Sequence, residues 1–118
     1  MREITGHQVN GCNESLKIEV LDEPGEGGAC HKYYISTPDL LVACPIEFQD
    51  GPVSRQANGL THEALIAIVI DRLEGFQRGP FACLENAAAL HHLHAAQMAL
   101  HERTRARLAR GVEGTHEQ

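Results

Sequence analysis

A chain of 118 residues with 42% hydrophobic but only 4% aromatic residues, and no Trp, has room for one compact domain with a modest core. Its formal net charge of -6 makes the body repel DNA, RNA and anionic membranes, so a polymer-binding or membrane-surface role is excluded for the molecule as a whole.

The start, Met1 to Asn10, is polar and lacks the apolar run of a signal peptide. The longest apolar stretch, Ala64 to Ile70, is far too short to span a bilayer. Four cysteines (Cys12, Cys30, Cys44 and Cys83) form no close pair, so the chain reads as cytoplasmic with reduced thiols. Asn10-Gly11 is expected to turn a shorter hairpin ahead of the next strand. Leu16, Ile18 and Val20 then alternate with Lys17 and Glu19, the period of a half-buried strand. The cluster Glu23-Pro24-Gly25-Glu26-Gly27-Gly28 breaks that strand and neither continues it nor starts a helix. His31 to Thr37 reads as the return strand, and Leu40 to Phe48 as a third candidate, with Pro45 pointing to an edge position or a break.

The period changes after Asn58. Leu65, Ile66, Ile68, Val69, Ile70 and Leu73 recur at helical spacing, with Thr61 as N-cap, Glu63 in the first turn and Gly75 loosening the end. Gly79-Pro80 predicts the opening of a second helix, with Pro80 in its first turn, running from Phe81 to Arg110 and stopped by Gly111 and Gly114. Ala87, Ala88, Ala89, Ala95 and Ala96 give that helix a face of small residues. The fold class is therefore α+β: one domain over 1–118, with a small antiparallel β-sheet or hairpin in 1–57 and a two-helix antiparallel hairpin in 58–114. Obligate self-association through the second helix is expected, because so few bulky side chains leave its face uncovered.

Candidate chemistry is sparse. Val20-Leu21-Asp22-Glu23 has the look of a strand ending on a metal-side Asp-Glu pair. That chemistry needs a phosphate loop, and no Gly-Lys pair occurs anywhere. Strand end plus turn is the reading adopted. Among eight histidines, His91, His94 and His101 lie on the long helix, but no HExxH pattern accompanies them, and no metal site is assigned. Ser15, Ser36, Ser54 and the cysteines sit in no nucleophile-elbow or Cys-His pattern, so no catalytic residue is assigned and no cofactor is expected. A metal-dependent enzyme using the helix histidines, or a purely structural self-assembling protein, are the rival readings. Arg103, Arg105, Arg107 and Arg110 crowd one stretch of an acidic chain, which suits a small anion better than a polymer.

The text from Asn58 to Gln77, with Gly79-Pro80-Phe81-Ala82-Cys83, Glu85-Asn86-Ala87 and the arginine-rich ending to His116, resembles the phage anti-Thoeris sponge family. That family shares its α-hairpin with an anti-CBASS sponge. Val9 to Glu14 and Val20 to Gly28 resemble its amino-terminal strands. The resemblance implies capture, without cleavage, of a cyclic ADP-ribose isomer inside an infected bacterial host, in the cytoplasm, by a homodimer or homohexamer. It also implies, in some members, a second pocket for cyclic di- or trinucleotides. Here Leu84 stands where the family is expected to carry an Arg, which puts that second pocket in doubt.

Carried across, the ligand site is Phe76, Asn86, Arg103 and Arg107. Phe76 would stack on a purine, Asn86 hydrogen-bond a base edge or ribose hydroxyl, and the two arginines fork onto phosphate oxygens. On one continuous helix Asn86 and Arg103 are roughly 25 Å apart, whereas Arg103 and Arg107 share a face. A pocket using all four therefore needs two chains packed antiparallel.

Overall fold

The computed structural model describes residues 1–9, 11–51 and 58–109. It divides into two compact units, one formed by 1–51 with 58–60 and the other beginning at Thr61.

The first unit is a four-stranded antiparallel sheet in the order β1 (Arg2–Ile4), β2 (Lys17–Val20), β3 (Lys32–Ser36), β4 (Ala43–Glu47). The alternation around β2 holds. Val20 is 1% exposed, facing Arg2 on β1 and Tyr33 on β3, while Ile18 pairs with Ile4 and Ile35. β4 is the outer strand, and Pro45 lies in it opposite Tyr34, where a missing N–H is tolerated. Phe48 then forms a parallel bridge with Leu60, next to its edge-on contact with Tyr33 at 5.6 Å between ring centroids.

The expected Asn10-Gly11 turn falls partly outside the described residues, which omit Asn10; β1 and β2 pair antiparallel on either side of this step, and Gly11 opens a short helix, α1 (Gly11–Ser15), within their connection. The connection between β1 and β2 is long because β1 pairs through Ile4 with Ile18, far past the Asn-Gly step. The turn cluster also contains one 3-10 turn, Glu26–Gly28.

Asp22 ends β2 as a structural residue. Its carboxylate accepts the His31 N–H at 2.9 and 3.2 Å and the Lys32 N–H at 3.1 Å, and the Cys30 thiol donates to its carbonyl at 3.4 Å. The His31 N–H, above all, holds this carboxyl below the ordinary carboxylate range; partial desolvation opposes it and Lys32 N–H adds to it. Asp39 is lowered likewise, chiefly by the Thr37 hydroxyl and then the Leu41 N–H. Carboxyls lowered on folding contribute stability that is fully present above the ordinary carboxylate range and is lost as pH falls through their folded values. Thermal melts taken from pH 7 downward should therefore show the loss starting at the ordinary range. Asp22→Asn should lower the melting temperature at pH 7 and flatten its fall in acid, since its amide sets a donor against a donor.

The second unit is the helical hairpin, α2 (His62–Gln77) and α3 (Leu84–Ala109). Thr61 caps α2 as expected, accepting the Ala64 N–H at 3.1 Å, with Glu63 in the first turn. Gly75 lies in the last turn of α2, which closes where the Arg78 N–H meets the carbonyls of Glu74, Gly75 and Phe76. Pro80 does not start α3. Pro80 and Phe81 lie in the turn, and the helix begins at Leu84 because Cys83 satisfies its first orphan donors, Sγ accepting the Asn86 N–H at 3.4 Å. Arg110, Gly111 and Gly114 lie outside the described residues. No helix among the described residues is long and apolar enough to cross a membrane.

Candidate functional site

Residues spaced three and four apart build the two facing stripes of the hairpin. On α2 these include Ile66, Ile70 and Leu73, with Ile70 buried. On α3 the sheltered stripe is Asn86, Leu90, Leu93, Gln97, Leu100, Thr104 and Arg107. Gln97 Nε2 donates to the Glu63 carbonyl at 3.0 Å and ties the helices, while His94 Nε2 lies 3.7 Å from a Glu74 carboxylate oxygen, an ion pair only when His94 is protonated. Ala87, Ala88, Ala95 and Ala96 remain exposed on the other side, as do Ile68 and Met98.

At the turn end the structure assembles a compact group. Phe76, half-buried near the end of α2, carries the Arg72 guanidinium over its ring at 4.9 Å and meets the Phe81 ring edge-on at 6.3 Å. The next residue, Gln77, holds Cys83 at both backbone groups: the Cys83 N–H donates to Oε1 at 3.0 Å, and Nε2 donates to the Cys83 carbonyl at 3.1 Å. Cys83 in turn accepts the Asn86 N–H. Phe76 and Asn86 are thus linked through one short chain of contacts. The group sets an aromatic ring, with a cation over it, beside the first turn of α3.

At the far end of α3, Arg103 is exposed, Arg107 is buried at 9% exposure, and Arg105 is paired with Glu102. Arg103 and Arg107 are one turn apart, the first exposed and the second buried. α3 is continuous between Asn86 and Arg103, a separation of roughly 25 Å. The four residues singled out from the sequence therefore fall into two groups that a single chain does not bring together.

Sequence reasoning passed over Arg72 and Gln77. Arg72 was detectable, standing four residues before Phe76 on the same helix face. Gln77 was not, because its partner lies across a turn whose shape the sequence misread.

The histidines form no such group. His91 and His92 contact each other ring to ring at 5.4 Å, and among the described residues no three His, Cys, Asp or Glu side chains are gathered as a metal would need. In the sheet unit, a cavity of about 190 Å³ is bordered by His31, Lys32, Glu47, Phe48, Asp50 and Asn58, with His31 Nε2 3.5 Å from Asp50; none of the four sequence-assigned residues lines it.

The chain matches the family described as Acb2/Tad1, hairpin domain, over residues 42–105. It is also similar to the protein named Thoeris anti-defense 1 of Bacillus phage SBSphiJ7, at 53% identity over 95 residues. That alignment covers 80% of this chain and 66% of the relative, so the chain spans just under two thirds of the relative's length.

Proposed function

Because this chain belongs to the Acb2/Tad1 hairpin family, we propose that it is a phage anti-Thoeris protein that captures a cyclic ADP-ribose isomer in the host cytoplasm without cleaving it. The observation that carries this reading is the separation of the hairpin into a turn end, with Phe76 on α2 and Asn86 on α3, and a far, cationic end of α3, with Arg103 and Arg107. A cyclic ADP-ribose presents the matching pair of chemistries, a purine with riboses and a diphosphate. Two chains packed antiparallel would bring unlike ends together and form two equivalent pockets per dimer. The exposed alanine face of α3 and the thin core support such packing: among the described residues, Val20, Cys30 and Ile70 are the buried hydrophobic side chains. A dimer, or a hexamer built of dimers, is the assembly this reading requires. A further site for cyclic di- or trinucleotides near the start of α3 would have to work with the exposed apolar Leu84.

Capture and catalysis give different chemical ends. Protein mixed with a panel of cyclic ADP-ribose isomers, freed of excess ligand and then heated should return one isomer chemically intact, at no more than one molecule per chain. Many product molecules per protein molecule would replace this reading with an enzyme, and no retained ligand would replace it with a scaffold.

A further inference from the structure

We infer that Gln77 is the positioning residue of the stacking end, holding Phe76 and Asn86 in the relation that a ligand needs. The inference rests on the proposed capture of a cyclic ADP-ribose isomer and says how one half of that site is set. Phe76 belongs to α2 and Asn86 to α3, and the segment between the helices contains Gly79 and Pro80 rather than a regular element. One side-chain amide spans it. Gln77 takes the Cys83 N–H on Oε1 and gives Nε2–H to the Cys83 carbonyl, so a single planar group fixes both sides of one backbone residue. That residue caps α3, and its Sγ receives the Asn86 N–H. Two successive hydrogen bonds thus connect the residue beside Phe76 to the backbone of Asn86. The same segment carries Phe81, 71% exposed, whose ring meets Phe76 edge-on. Loss of the clamp releases the aromatic pair and the first turn of α3 together, while the helix–helix tie at Gln97–Glu63 remains.

Gln77→Met keeps length and helix propensity and removes both bonds. Gln77→Glu, as a carboxylate, keeps the bond from the Cys83 N–H and loses the one to its carbonyl. Gln97→Met deletes a bond of comparable kind far from Phe76 and serves as the comparison. Three readouts are taken on each full-length protein: calorimetric affinity for the cyclic ADP-ribose isomer retained by the wild type, amide hydrogen exchange at Cys83 and Asn86, and melting temperature with sedimentation. The expected result is about tenfold weaker binding for Gln77→Met and an intermediate loss for Gln77→Glu. Exchange at Cys83 and Asn86 should be faster in Gln77→Met, and in Gln77→Glu faster at Asn86 while the retained bond protects the Cys83 N–H, with the oligomer unchanged and with no comparable affinity loss in Gln97→Met. Should Gln77→Met fail to fold, Gln77→Glu carries the same comparison. Unchanged exchange at Cys83 and Asn86 overturns the clamp, and so does an affinity loss that Gln97→Met matches at equal melting temperature. A wild type that retains no isomer overturns the capture reading instead, and the exchange measurement then decides the clamp without a ligand.

Discussion

Mixed under conditions of subunit exchange, a Phe76→Ala, Asn86→Ala protein and an Arg103→Ala, Arg107→Lys protein should recover ligand binding that neither has alone. Each parent should bind on the order of 100-fold more weakly than wild type, since it lacks either stacking and its amide or the forked phosphate contacts. Lys is preferred at position 107 because Arg107 is only 9% exposed: truncation to Ala would leave a void, whereas Lys keeps the charge and gives up the fork. In an equal mixture about half of the dimers are mixed, and each mixed dimer holds one intact pocket and one doubly disabled pocket. Binding capacity should therefore return to about a quarter of that of wild type, with affinity restored to the wild-type value. Capacity that stays at the level of the parents after exchange is proven, by mass spectrometry of differently tagged chains, rules out a pocket shared between two chains. Full capacity in a protein shown by sedimentation to be a monomer would do the same.

Gly59→Ala should be the most damaging single methyl group in the sheet unit. A Cβ at this position would lie 2.4 Å from the Phe48 carbonyl carbon, 2.5 Å from its oxygen and 2.7 Å from the Gln49 nitrogen. All three are backbone atoms, and they are held by the bridge itself: the Gln49 N–H donates to the Leu60 carbonyl at 2.9 Å and the Leu60 N–H to the Glu47 carbonyl at 2.8 Å. Nothing there can rotate away, so the strands of the bridge must separate. The expected cost is about 3 kcal/mol or more, at the upper end for overpacking, and the melting temperature should fall by on the order of 10 °C. Gly51→Ala gives the comparison, because its φ of 90° strains a side chain but open space surrounds the new methyl group. It should cost about 1 kcal/mol. Equal effects from the two substitutions would show that the close approach at Gly59 is not what limits this position.

The parts of the fold that sequence made legible are those written in local periodicity. Leu16, Ile18 and Val20 announce β2 because one face of it is buried, and Thr61 announces α2 because its hydroxyl has one obvious donor to satisfy. Strand β1 was invisible: Arg2 and Glu3 are exposed, and only pairing with distant Val20 and Glu19 makes them a strand. The start of α3 was misplaced by three residues. Pro80 suits a first turn, whereas Cys83, an unusual cap, is held by Gln77 from across the turn. Phe76, Asn86, Arg103 and Arg107 are candidates through resemblance to the anti-Thoeris family, and Arg103 with Arg107 also through their one-turn spacing. The split of the four into two groups followed from the rise of a helix and stands in the uninterrupted α3.

The continuity of α3 bears on how such proteins can diverge. If one rod carries a half-pocket at each end, a single inserted or deleted residue turns one end by about 100° against the other and shifts it by about 1.5 Å. Every pocket in a symmetric assembly would receive that error at once. A seven-residue insertion would return the faces to within about 20°, but it would carry the arginines about 10 Å further from the turn. Drift within the rod is therefore channelled into substitutions at constant length. Gains and losses of chain are left to the segments outside Leu84–Ala109, where they leave the spacing between Asn86 and Arg103 untouched.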